Sequence, residues 1–115
     1  MLAEDDLTMI ALLKTLLGME GYEVVALGID DDILESVRRD PPDVLLMDVH
    51  LPYVNGMDVL EQIRADEKVK NLKVVMTSGL NLATECKECG ANDFLPKPYM
   101  PDDLLNILKR NLNPS

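Results

Sequence analysis

The chain has 115 residues, enough for one domain with a real core, and its 47% hydrophobic and 28% charged content is that of a folded protein rather than a disordered one. Acids outnumber bases 21 to 11, for a formal charge of -10, and that field excludes a general affinity of this segment for nucleic acid. No apolar run approaches the roughly 18 residues of a membrane span.

In chain order, only Met1 to Ala3 precede the acids of "LAEDD", so the first strand is expected to be truncated. "LTMIALLKTLLGMEG" places Leu7, Ile10, Leu13 and Leu17, with Met9, Leu12 and Leu16, on a wide apolar stripe suited to a helix lying on a sheet. Asp6 is its expected cap, and Gly18 or Gly21 its end. "YEVVAL" reads as the second strand. "DDILESVRR" reads as a helix with acids in front and arginines behind, as the helix dipole prefers.

Pro41 and Pro42 break the chain before "DVLLMD", an apolar strand buried on both faces, which ends on Asp48. Gly56 to Ala65 gives a helix with Met57, Leu60 and Ile63 on one side. "KVVMTS" is the fourth strand and "LATECKEC" a short helix closed by Gly90. "DFLP" is the fifth strand, and "PDDLLNILKRNL" a last helix with Leu104, Leu105 and Leu108 on its apolar face. Residues 111–115 read as a flexible tail of a single domain spanning 1–115.

Strands alternating with helices predict a three-layer α/β domain with a parallel, doubly wound sheet and right-handed crossovers. Cys86 and Cys89 have a Cys-x-x-Cys spacing, but the one histidine, His50, lies in a separate turn, and an i,i+3 pair in a short helix is expected to pack as structure rather than bind zinc. Met1 to Asp5 lacks the basic region of a signal peptide, so the expected compartment is the cytoplasm.

In such a sheet the carboxyl ends of the strands share one edge, where ligands bind. That edge would hold Glu4, Asp5, Asp48, Thr77 and Lys97. Clustered carboxylates repel and need a cation; without one, Glu4 only adds repulsion. All-oxygen ligands suit a hard ion, magnesium, with manganese as the alternative. Asp48, ending the central strand, is the carboxylate placed to attack phosphorus and become an aspartyl phosphate.

Four segments in order, "AEDD", "LLMDVHLPYVNG", "VVMTSG" and "GANDFLPKPY", resemble the receiver domain of two-component response regulators over essentially the full chain. The resemblance implies a flavodoxin-like (βα)5 fold with strand order 2-1-3-4-5. It implies that Asp48 takes the phosphoryl group, that Asp5 and Asp48 bind magnesium directly and Glu4 through water, and that His50 adds its backbone carbonyl. Thr77 is then the hydroxyl that turns to the phosphoryl group, Lys97 the lysine that pairs with a phosphoryl oxygen, and Phe94 the aromatic whose rotamer follows Thr77. A cis Lys97-Pro98 peptide is also expected.

The implied partners are a sensor histidine kinase or histidine phosphotransfer protein, and an output domain or target protein. The signal would pass through the face formed by the fourth and fifth helices and the fifth strand. The chain would be a switch and not a turnover enzyme, a monomer or weak homodimer.

Two departures bear on this reading: the short first strand, and an interval from Thr77 to Gly90 slightly shorter than is common in that family. The main rival is a receiver-like decoy or scaffold that never takes phosphate. A magnesium-dependent phosphatase with an aspartyl nucleophile would want a second acid where His50 stands, and a flavin-binding relative would want glycine and hydroxyl donors where "AEDDLT" puts acids.

Overall fold

The computed structural model describes residues 1–28 and 30–112. Its elements run β1 (Leu2–Ala3), α1 (Leu7–Met19), α2 (Ile33–Arg39), β2 (Val44–Asp48), α3 (Gly56–Ala65), β3 (Lys73–Ser78), α4 (Ala83–Glu88), β4 (Asp93–Pro96) and α5 (Pro101–Leu112). The strands are all parallel and lie in the order β1-β2-β3-β4.

The expected second strand, "YEVVAL", is reduced to a single bridge of Ala26 to Leu2 on the far side of β1. Leu2 N–H donates to the Val25 carbonyl at 2.8 Å and Leu27 N–H to the Leu2 carbonyl at 2.9 Å. The reason is geometric: a ladder runs only as far as the shorter strand offers partners, and β1 has two residues. The segment nonetheless occupies the edge place that the 2-1-3-4-5 order assigns to it.

Side chains of each strand alternate between two cores, as the pleat requires. Leu45, Met47, Val74 and Met76 face α2, α3 and α4, meeting Ile33, Val37, Leu60, Ile63 and Cys86. Leu46, Val75 and Leu95 face α1 and α5, meeting Leu13, Leu17, Leu104 and Leu108. Three layers result.

Helix starts follow local chemistry. Asp6 Oδ1 accepts from Thr8 N and Met9 N at 3.0 and 3.2 Å, Asp32 Oδ1 from Glu35 N at 3.0 Å, and Asn55 Oδ1 from Met57 N at 2.8 Å. Gly21 and Gly90 take positive φ after α1 and α4. The short helix α4 is narrower than "LATECKEC" suggests: Leu82 and Cys89 are its caps, and Leu82 offers no side-chain bond to the first turn.

The α1 stripe needs correction. Leu13 and Leu17 are buried, but Leu7 and Leu12 point to solvent. At the other end of the chain α5 continues through Leu112, so Asn111 and Leu112 are helical and the rest of the expected tail lies outside the described residues.

A guanidinium ties the α3 end of the molecule together. Arg64 donates from Nε to the Gly90 carbonyl (2.9 Å), from Nη1 to the carbonyls of Lys70 (3.0 Å) and Leu72 (2.7 Å), and from Nη2 to Asn92 Oδ1 (2.9 Å). Asn92 Oδ1 also accepts from Val74 N at 2.8 Å. Burial lowers the Arg64 pKa, and four acceptors compensate the charge in place of a carboxylate.

Candidate metal and phosphoryl site

The sheet register delivers the acids and their partners to one edge. Asp48 ends β2 and pairs in register with Thr77, which pairs in turn with Leu95. Glu4 and Asp5 directly follow β1. Lys97 directly follows β4, and its N–H donates to the Ser78 carbonyl at 2.9 Å.

Glu4, Asp5 and Asp48 each offer a carboxylate oxygen within 4.8 Å of the others. Glu4 and Asp48 are buried and Asp5 is exposed, so the cluster has a closed floor and an open side. An all-carboxylate donor set with room for water fits a hard divalent cation such as magnesium, and these three residues would hold it.

Lys97 bridges the two buried acids, with Nζ at 2.5 Å from Asp48 Oδ2 and 2.9 Å from Glu4 Oε2. The expectation that Glu4 only repels without a cation is therefore wrong: it is ion-paired. Burial pushes the Glu4 carboxyl up, and the pull of Lys97 only partly offsets this, so its pKa stands above the ordinary value. Burial would lower the Lys97 ammonium, but its bonds to Asp48 and Glu4 outweigh that, leaving its pKa raised.

The remaining oxygens are also engaged. Asp48 Oδ1 accepts from His50 N at 2.8 Å, and Glu4 Oε1 from Asp6 N at 3.2 Å. The His50 side chain is exposed, as a turn residue should be. The turn closes through a bridge of His50 to Asn55, and Gly56 N donates to the Val49 carbonyl at 2.7 Å.

Gly56 has a role that spacing alone does not disclose. A Cβ there would lie 2.5 Å from the Asp48 carbonyl oxygen and 3.0 Å from Val49 Cα, so only glycine lets α3 begin against the end of β2. Sequence reading also missed the Lys97–Glu4 pair. The signal was present, since both residues were assigned to one edge and carry opposite charge.

Thr77 is buried, and its hydroxyl donates to the Leu95 carbonyl at 2.7 Å. Phe94 stands apart from the acids: it pairs in register with Met76, one step back from Thr77, and packs half-buried against the core on the α4 side. Tyr99 is half-buried on the opposite side, with α1 and α5. The Lys97-Pro98 peptide is cis, as the resemblance implied. Cys86 is fully buried in the α3 and α4 core, where burial holds its thiol at a pKa of about 11, and Cys89 caps α4 with Sγ 3.5 Å from Glu61 Oε1. Neither has the depressed pKa of a reactive thiol.

No helix of the described residues is long and apolar enough to cross a membrane. Comparison with known proteins agrees with the site geometry. Among solved structures, a response regulator of Chloroflexus aurantiacus superposes with a TM-score of 0.86 at 32% identity, over 96% of this chain and 93% of that one. The receiver domain of a Pseudomonas aeruginosa sensor histidine kinase, solved with a magnesium ion coordinated in its active-site cleft, gives a TM-score of 0.83 at 30% identity, again over 96% and 93%.

Among curated proteins, the Haemophilus influenzae CpxR homolog, a transcriptional regulatory protein, is 34% identical over 100% of this chain and 52% of its own length. The DNA-binding response regulator MtrA of Mycolicibacterium paratuberculosis is 30% identical over 97% of this chain and 50% of its own length. The chain thus spans about half the length of these curated relatives. The family model of the response regulator receiver domain matches residues 1–109, and the chain belongs to that family.

Proposed function

We propose that Asp48 accepts a phosphoryl group from a phosphohistidine of a sensor histidine kinase or histidine phosphotransfer protein, and that Thr77 and Lys97 convert this event into a change of shape. The observation that carries the reading is the ion triad: Lys97 Nζ lies between Asp48 Oδ2 and Glu4 Oε2, with the Asp5 carboxylate beside them.

In the transfer, an Asp48 carboxylate oxygen forms a bond to phosphorus as the phosphorus–nitrogen bond of the donor imidazole breaks and the imidazole leaves with the electron pair. The His50 backbone N–H fixes Asp48 through Oδ1, so the carboxylate cannot rotate away from the approaching group. The Lys97 ammonium, held at the acid pair, is placed to move its hydrogen bond from Asp48 Oδ2 to a phosphoryl oxygen. A magnesium ion held by Glu4, Asp5 and Asp48 would supply charge neutralisation at the phosphoryl oxygens. For Thr77 to reach the phosphoryl group its hydroxyl must leave the Leu95 carbonyl, which couples the site to β4.

Magnesium in the Pseudomonas aeruginosa receiver supports the metal assignment by similarity. The names of the relatives suggest transcriptional output, and with a charge of -10 this segment would supply the switch and leave DNA contact to another domain.

Incubation with acetyl phosphate and magnesium, read by intact-mass spectrometry, tests the proposal. One hydroxylamine-labile phosphoryl group is expected on the wild type and none on Asp48→Asn. A wild type that gains no mass beside a competent receiver would favour a phosphate-independent scaffold, and a labelled Asn variant would show that the nucleophile is another residue.

A further inference from the structure

The two carboxylates that Lys97 bridges are not equivalent. Asp48 Oδ1 is fixed by the His50 N–H at 2.8 Å, so the oxygen left to attack phosphorus is Oδ2, the same one that takes Lys97 Nζ at 2.5 Å. Once Oδ2 bonds to phosphorus it becomes the bridging oxygen of an acyl phosphate and no longer carries the charge of an ion-pair partner. A lysine tethered there alone would be released at the moment its charge is needed.

Glu4 is the partner that does not react. Its Oε2 accepts from Lys97 Nζ at 2.9 Å and its Oε1 from the Asp6 N–H at 3.2 Å. Asp6 in turn caps α1 through its own Oδ1, so that N–H belongs to a fixed turn. The Glu4 side chain is 3% exposed against 24% for Lys97, so the acceptor is walled in while the ammonium keeps an open side. Asp5 differs: its carboxylate is exposed and accepts no hydrogen bond among the described residues, which leaves it open to a cation.

We propose that Glu4, besides its place in the acid cluster, is a positioning residue: the pivot that holds Lys97 while the ammonium exchanges Asp48 Oδ2 for a phosphoryl oxygen. An ammonium has three N–H donors, and with two engaged by Glu4 and Asp48 the third can take a phosphoryl oxygen before the Asp48 bond is given up. A lysine chain has many rotamers, and holding it in one beforehand removes its ordering from the cost of the transition state. The inference rests on the reading of Asp48 as the nucleophile.

Glu4→Gln tests the pivot. Glutamine keeps the shape and an acceptor for the Asp6 N–H but removes the charge that holds Lys97. Labelling of Asp48 by acetyl phosphate at saturating magnesium should slow about tenfold in Glu4→Gln and in Lys97→Met alike. The double variant should be no more than about twofold slower than either, because both changes remove one interaction, whereas independent roles would multiply to about a hundredfold. Acetylation of Lys97 by acetic anhydride without magnesium, read by peptide mass spectrometry against exposed Lys109, should be at least about threefold faster in Glu4→Gln than in wild type.

A Glu4→Gln rate that saturating magnesium restores to that of wild type confines Glu4 to the metal and overturns the proposal. So do losses that multiply in the double variant. A wild type that takes no phosphoryl group overturns both the reading of Asp48 and the exchange at Lys97. Unchanged Lys97 acetylation in a protein that is otherwise labelled overturns the pivot alone, so the two failures are told apart.

Discussion

Lys97 is an ion-pair partner in the fold and, in the transfer proposed above, would also hold a phosphoryl oxygen. It neutralises two buried acids, so truncating it leaves Glu4 and Asp48 with unpaired charge. Its side chain is 24% exposed, which discounts the cost below that of a fully buried pair, to about 1–3 kcal/mol for Lys97→Ala in urea unfolding. Adding Glu4→Gln to that variant should recover part of the loss; a double variant less stable than the single one would show that the pair does not act as described. Gly56→Ala forces a methyl onto the Asp48 carbonyl, with an expected cost of about 1–3 kcal/mol and slower labelling of Asp48 by acetyl phosphate, because the carboxylate and the start of α3 shift together. The Cys86 thiol gives a pH signature. Its pKa in the fold is about 11 against an ordinary 9.0, so its contribution is intact below pH 9 and is lost as the pH rises toward 11, where only the unfolded chain ionises readily. Cys86→Ala is less stable at neutral pH, but its stability should fall less steeply between those limits. At this scale the place of Asp48 and Lys97 at the sheet edge was legible, because Asp48 is the last residue of one strand and Lys97 directly follows another. The partner of Lys97 was not, because Glu4 was assigned to the metal alone.

Among the elements, α3, β3, β4 and α5 have the bounds their sequences announce, since each carries its own punctuation: Asn55 before Gly56, proline at Pro96 and again at Pro101. The failures have physical causes of a different kind. "YEVVAL" has the composition of a strand, but its ladder depends on β1, which is too short to pair with it beyond one bridge. In α1 nearly every position is apolar, so periodicity could not say which side meets the sheet, and Leu7 and Leu12 were placed wrongly. Arg64 escaped notice because its acceptors lie up to 28 residues away and are mostly backbone carbonyls, which leave no mark in a sequence. Arg64→Ala should cost about 2 kcal/mol or more in thermal or urea unfolding, since several part-buried acceptors lose a charged donor. Arg64→Lys should recover less than half of that, because an ammonium cannot span the planar fork. Full rescue by lysine would reduce the role of Arg64 to charge.

For the whole molecule, the acid cluster makes folding and metal binding one equilibrium. Magnesium at ten times its dissociation constant should stabilise the protein by about 1.4 kcal/mol, and the melting shift should largely vanish in Asp5→Asn. An equal shift in that variant would remove Asp5 from the ligand set. The asymmetry of α4 has a consequence for how a signal would travel. Its far end is moored: Ala91 N donates to the Cys86 carbonyl at 3.0 Å, Gly90 N to that of Lys87 at 3.0 Å, and Arg64 holds the Gly90 carbonyl. Its near end follows Ser78 through Gly79 to a first turn with no side-chain cap. The helix thus has its moored end at Gly90 and its uncapped end joined to β3 through Gly79, so a shift at the tip of β3 would be expected as a swing of the first turn. Amide exchange should accordingly be fast from Gly79 to Glu85 and slow from Cys86 to Asn92; uniform protection across both would mean that α4 moves as a plate, with no moored end at all.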